Sequence, residues 1–436
     1  MADSRKARIE YKTGWNPEDV LHSICAFAND IHNWGGGYLI LGVTADDGIP
    51  SLPPVGIAKK EIDKLQKEIL RISNRIIPNC NVIVDYQDYM DKQIIIIWVP
   101  TGQERPYKAP HSLSSKNQRY NYYIRKGSNT CIANRDEEKI LHEISDQIPF
   151  DDRINYNYDI GDINVEVVDA FLKEVGSDLI DNRIKKDKLM KMNLIGGPPE
   201  HLRPKNIALI LFNDNPEKVF PKTEIDIVYF PDGEDADSFE EKIFKGPVHK
   251  IITEALHFMK VNYLKEKVIK QSDRPESKRI WNYSYEVLKE SIANAMYHRS
   301  YQIREPVEIR VYTDKIIIIN RPGPDKSITN KDLKNMNFIS RTYRNNRIGD
   351  FLKELKLTEG RGTGIPKILR KSKENNSPNP IIKTTRNRDY FMIEIPINRS
   401  FIGKKDEKEK IDTISLGPSR DQVGTKSGCT GSFGKM

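Results

Sequence analysis

Apolar residues along this chain change period several times, from helical to strand spacing and back. Val20, Leu21, Ile24, Phe27, Ala28 and Ile31 recur at helical spacing. They follow a start signal at Asn16-Pro17-Glu18-Asp19: a capping amide, proline in the first turn and two acids at the positive dipole end. Gly35-Gly36-Gly37 stops that helix, and residues 38–43 read as a buried strand before the turn Asp46-Asp47-Gly48. A helix over 58–72, strands over 80–86, 93–100 and 119–127, and a closing helix over 136–147 complete the first region. The polar stretch 148–163 reads as a linker. Beyond it the pattern predicts helices at 165–175 and 185–192, strands at 206–213 and 223–230, and a long amphipathic helix at 245–266. A third region has a helix at 284–301, a strand pair within 307–320 and a last strand at 389–397. After residue 401 comes a charge run, then five glycines in the last 25 residues without apolar periodicity, which predicts a disordered tail.

The chain is therefore expected to be α/β (α+β), with domains at 1–147 and 275–400, a connector at 164–270 and the tail at 401–436. At 436 residues and 37% hydrophobic it can bury large cores, which excludes a disordered or disulfide-stapled class. Cys25, Cys80, Cys131 and Cys429 are dispersed, without CxxC or Cys/His spacing, so neither a zinc site nor a disulfide framework is expected. The polar N-terminus and the short apolar runs point to a cytoplasmic protein without membrane spans.

Lys and Arg exceed Asp and Glu by only 8, which permits an anionic partner without requiring one. The excess is uneven. Residues 104–126 hold six Lys/Arg against one acid, interleaved with tyrosines. Tyr107, Lys108, Arg119, Tyr120, Tyr122, Arg125 and Lys126 suit phosphate contact and base stacking, with Lys12 a further cation. An ordinary strand with alternating aromatics is the competing reading.

Three motifs carry chemistry in the third region. Glu290 and Asn294 are four apart on a helix, so carboxylate and amide project together. The strand ending at Asn320 runs into a bend at Gly323. Gly360-Arg-Gly362-Thr363-Gly364 is a glycine-rich loop opening a helix, which suits phosphate. No GxxxxGK[ST] sequence occurs, so a P-loop motor is not supported.

In that order the motifs resemble the GHKL ATP-binding fold, and more narrowly the divergent GHKL module of Schlafen AlbA-type bacterial proteins, often labelled as helicase-related. The resemblance implies ATP and Mg²⁺ as cofactors. Asn294 would hold Mg²⁺ and phosphates, and Glu290 would polarise the attacking water. Asn320 stands where many members have an adenine-binding aspartate, Gly323 would admit the base, and Gly360, Gly362, Thr363 and Gly364 would form the lid. It also implies a homodimer switch.

Residues 7–130 resemble the Schlafen AlbA-type domain, through Ile9-Glu10-Tyr11-Lys12, Ala26-Phe27-Ala28-Asn29, the Gly35–Gly37 loop and Tyr123-Ile124-Arg125-Lys126-Gly127. This implies nucleic-acid binding, to DNA or RNA. In some relatives it implies an RNA-cleaving carboxylate cluster, matched here by Glu10 and Asp46 or Asp47, whereas Arg5 stands where a third acid is usual. The expected function is an ATP-binding regulator of a nucleic-acid transaction, in transcription or phage defence. A metal-dependent RNase and a binding module with a vestigial ATP pocket are the rival readings.

Overall fold

The computed structural model describes residues 8–402, except 47, 115–118, 147, 182–183, 234–237, 271–276, 326–327, 337–343 and 360–363. Asp47, Gly360, Gly362, Thr363 and the tail from residue 403 therefore lie outside the described residues.

The N-terminal part is built around the helix Pro17–Asn29. Asn16 caps it, its side-chain oxygen accepting from the N–H groups of Glu18 and Asp19. Val20, Leu21, Ile24, Ala26 and Ala28 are wholly buried, because sheets cover the helix on two sides. One sheet has the order Ile9–Lys12, Gly37–Leu41, Lys92–Val99, Ile83–Tyr89, with only the first pair parallel. The other is an antiparallel trio of Lys108–Pro110, Tyr120–Lys126 and Asn129–Ile132. Buried Asn29 ties the helix to the second sheet: its amide donates to the carbonyls of Tyr107 and Tyr123 and accepts from the Tyr107 N–H. These bonds satisfy backbone groups that burial would otherwise leave costly.

The helix stops where Asp30 turns left-handed, at φ 35°. The Asp30 carboxylate then accepts the N–H groups of Trp34, Gly35 and Gly36 and the hydroxyl of Thr101. Gly36 is needed there, since a Cβ would lie 2.1 Å from the Val99 carbonyl oxygen at φ +78°.

The remainder is organised by a six-stranded sheet in the order Glu240–Lys245, Glu224–Tyr229, Val307–Val311, Lys315–Asn320, Phe391–Pro396, Ile381–Lys383. Its two outermost strands on one side come from the segment expected as a connector. Glu224–Tyr229 runs parallel to Val307–Val311, with Ile225 opposite Val307. A single apolar core extends from Ile163 to Ile395, under the helices Val248–Tyr263 and Tyr285–His298. Residues 206–213, expected as a strand, are instead the helix Asn206–Phe212. All seven of its residues are buried, and a helix enclosed on every side shows no polar face for periodicity to detect.

The two parts touch through the loop at 197–201. His201 stacks on Trp98 at 3.9 Å, and Glu200 accepts from Arg8 at 2.8 Å and from the Tyr38 hydroxyl. Tyr38 and Trp98 are cross-strand neighbours on the N-terminal sheet.

Candidate nucleotide site and nucleic-acid face

Glu290 and Asn294 lie on the helix Tyr285–His298, whose Val287, Leu288, Ile292 and Ala295 pack into the core. Glu290 is 1% exposed. Its Oε1 accepts from Asn294 Nδ2 and from the Thr358 hydroxyl, both at 3.2 Å, while Oε2 is buried without a hydrogen bond. Because the Asn294 Nδ2 faces Glu290, its Oδ1 is the atom left for a cation. Gly364, the last glycine of the expected lid, packs directly on this pair. A Cβ there would sit 2.8 Å from both Asn294 Nδ2 and Glu290 Oε1. Gly364 also opens the helix Gly364–Glu374, so a positive dipole end abuts the carboxylate.

Sequence reasoning missed two partners of Glu290. Thr358 is one, and Lys367 is the other, its Nζ lying 3.5 Å from Glu290 Oε2. Glu286 and Glu359 face the same ammonium at 3.5 and 3.1 Å. Burial works against the charged lysine, yet the bond to Glu359 and the charges of Glu290, Glu359 and Glu286 outweigh it and hold Lys367 above its ordinary pKa. The signal was available. Two like charges at i and i+4, Glu286 and Glu290, repel unless a cation joins them.

Asn320 is buried at the end of its strand, opposite Phe391. The space over Gly323 is filled by the chain itself: a Cβ would lie 2.7 Å from the Tyr390 carbonyl oxygen and 2.9 Å from that of Arg388. Arg344 ties this bend to the helix carrying Glu290, donating to the carbonyls of His298 and Gly323. The adjacent Asn345 donates to the carbonyls of Tyr297 and Arg299. The helix Asn346–Glu354 that follows is capped from a distance, the Ile348 N–H donating to the wholly buried Asp151 at 2.9 Å. Burial pushes the Asp151 carboxyl up to about 6.

In the N-terminal part the expected nucleic-acid residues divide into two groups. Arg125 is buried: it donates to Glu10 Oε2 at 2.6 Å, to the Thr130 hydroxyl at 2.8 Å and to the Ser128 carbonyl at 2.6 Å, over the Phe27 ring. Tyr107 is buried in the core. Neither can meet a phosphate or a base in this arrangement. Both faces of the strand Tyr120–Lys126 are covered. Asn121, Tyr123 and Arg125 fall on one face, where Tyr123 joins the core around the helix Pro17–Asn29. Ile124 packs with Leu141 of the closing helix Arg135–Asp146 on the other. Arg119 is exposed, Lys108 lies over the half-buried Tyr120 ring, and half-buried Tyr122 meets His142 edge-on. Lys126 is paired with Glu137 and Lys12 with Glu10.

Both oxygens of Glu10 thus face cations, Oε1 toward Lys12 and Oε2 toward Arg125. Asp46 is exposed on a two-residue strand. Among the described residues no group of three His, Cys, Asp or Glu side chains is placed to hold a metal ion. No described helix is long and apolar enough to cross a membrane.

Residues 6–134 match the family model described as Schlafen, AlbA_2, and residues 305–395 match "Putative ATP-dependent DNA helicase recG C-terminal". The second span includes Asn320, Gly323 and Gly364, and begins after Glu290 and Asn294. Among solved structures, the chain is similar to the DIP2311 protein of Corynebacterium diphtheriae, at 16% identity and a TM-score of 0.44 over 92% of this chain. It spans 66% of that protein's length, less than two thirds. It is also similar to the N-terminal domain of a "Putative ATP-dependent DNA Helicase RecG-related Protein" from Nitrosomonas europaea. There the identity is 24% and the TM-score 0.20, over 31% of this chain and 89% of that one. No curated protein matches. The two family matches support an ATP-binding, nucleic-acid-related function.

Proposed function

We propose that this chain, which joins a Schlafen AlbA_2 domain to an ATPase-like domain in an α/β fold, binds ATP with Mg²⁺ beside Glu290 and Asn294. Nucleotide state then governs how the N-terminal domain engages nucleic acid. The observation that carries this reading is the buried Glu290–Asn294 pair with Gly364 packed against it. A buried carboxylate oxygen without a hydrogen bond, the amide beside it and a glycine packed against both are a fitting donor set for a metal nucleotide. Asn294 would hold the cation and the lid glycines the phosphates; bound Mg²⁺ would supply charge neutralisation of the polyphosphate. Glu290 Oε2 is the atom able to accept a proton from water, while Thr358 and Asn294 fix the carboxylate through Oε1.

On the N-terminal domain, exposed Arg119, and Lys108 with the Tyr120 ring beneath it, are the groups best placed for DNA or RNA, and they support a binding rather than a cleaving role. Ion pairs on both Glu10 oxygens weigh against the RNase reading. Dimerisation on nucleotide binding, and a role in transcription control or phage defence, fit the same scheme.

Isothermal titration of the full chain with ATP and Mg²⁺ tests it. Binding is expected for the protein and for Glu290→Ala, with hydrolysis abolished in the variant. Absence of ATP binding to the unaltered protein would overturn the proposal.

A further inference from the structure

Lys367 lies in the first turn of the helix Gly364–Glu374, three residues after the glycine that touches Glu290 and Asn294. Its side chain is 10% exposed and faces three carboxylates. Glu359 is within hydrogen-bonding reach at 3.1 Å, while Glu286 and Glu290 stand off at 3.5 Å. An ammonium with one close partner and two distant ones, on a flexible four-carbon stem, is a ligand that a stronger anion can recruit. Glu290 Oε2 has no hydrogen bond despite its burial, so nothing else anchors that side of the cluster. The helix start adds its own N–H groups and dipole beside the same carboxylate.

We propose that Lys367 reads the terminal phosphate of the bound nucleotide, so that this side chain separates nucleoside triphosphate from diphosphate. The inference rests on the ATP reading above. If Glu290 acts on the water that attacks the terminal phosphate, Glu290 marks the end of the site where that phosphate lies. Lys367 shares this carboxylate. A triphosphate then offers the ammonium a fuller charge than Glu290 does and draws it away, which leaves Glu290 Oε2 free to take a proton. A diphosphate does not reach that end, and the lysine stays among the glutamates.

The test is the ratio of ATP to ADP affinity, each with Mg²⁺, measured by titration calorimetry on the full chain and on Lys367→Met and Lys367→Arg. A charge-assisted bond to phosphate is worth about tenfold or more in affinity, so the ratio should fall by about that factor in Lys367→Met. In Lys367→Arg it should stay within a few-fold of the unaltered protein. Lys367→Gln, which keeps length and polarity without the charge, serves where the methionine variant does not fold, and the same fall is expected. An unchanged ratio in the uncharged variants, with ATP still bound, overturns the role of Lys367 and leaves the ATP reading standing. Failure of the unaltered protein to bind either nucleotide overturns both.

Discussion

Arg125 is one of the residues that the sequence offers as a nucleic-acid contact, and its removal separates a structural role from a binding one. Arg125→Ala deletes the 2.6 Å ion pair to Glu10, the bonds to the Thr130 hydroxyl and Ser128 carbonyl, and the cation over Phe27. Arg125 is 5% exposed and Glu10 13%, so little water can replace what is lost. Breaking one side of a buried pair costs about 3–5 kcal/mol, a large share of the roughly 5–15 kcal/mol that holds a domain folded. Lys12, at 2.9 Å from the other Glu10 oxygen, softens the loss toward the lower figure. Urea unfolding, followed by tryptophan fluorescence, measures it. Glu10→Gln combined with Arg125→Met removes both charges and should recover much of the stability. The companion measurement is the salt dependence of single-stranded RNA or DNA binding, whose slope counts phosphate contacts at about 0.7 each. Arg119→Ala should lower that slope by about one contact with stability within about 0.5 kcal/mol of the parent. An Arg125→Ala protein of native stability that loses one contact's slope, about 0.7, would refute the reasoning, since the guanidinium would then be facing nucleic acid.

Other outcomes follow from the same geometry. Gly349→Ala places a Cβ 2.4 Å from the Tyr297 ring, so thermal unfolding should show a loss of about 1–3 kcal/mol, relieved in the Gly349→Ala/Tyr297→Leu double variant. Asp151 has a folded pKa near 6 against an ordinary 3.8, so its ionisation is harder in the fold: its contribution is most favourable below pH 3.8 and is lost as pH rises to 6. Asp151→Asn should therefore stabilise the fold at pH 7.5 by up to about 3 kcal/mol, seen as a higher melting temperature, and lose that advantage toward pH 4. His249 runs the opposite way. Burial among aromatic rings depresses it to about 4, so its stabilising contribution is present above pH 6.5 and disappears as pH falls toward 4. His249→Leu should flatten that acid limb; an unaltered limb would refute the assignment.

Much of the fold was legible where one local cause sufficed. The Asn16 cap and the proline beside it act within a few residues, and the helix Pro17–Asn29 begins on them; it ends on left-handed Asp30, ahead of the glycines expected to stop it. The Glu290–Asn294 pair was legible too, because i and i+4 fix a shared helix face. What was not legible depended on segments far apart in the chain. The strand Tyr120–Lys126 reads as interleaved cations and rings suited to nucleic acid, and the docking of the helix Arg135–Asp146 covers one of its faces. Arg125 and Tyr107 are inside for that kind of reason, since alternation separates the two faces of a strand without saying which are covered. The residues 206–213 offered an apolar run without period, equally suited to either element. Lys367 needed Glu359 and two glutamates from another helix to acquire meaning.

The order of strands in the large sheet also sets a timetable for the growing chain. The strands and helices of the N-terminal layers all end by Asp146, so they can pair while the rest is still being synthesised. The second half has no such freedom. Glu224–Tyr229 must wait some 80 residues for its parallel neighbour Val307–Val311, and Lys315–Asn320 a further 70 for Phe391–Pro396. Until then, hydrophobic strands such as Glu224–Tyr229 hold unpaired backbone that other nascent chains can capture. Slower translation across residues 230–390 would lengthen that interval, so the yield of soluble protein should depend on the pace of synthesis there more than anywhere before residue 146.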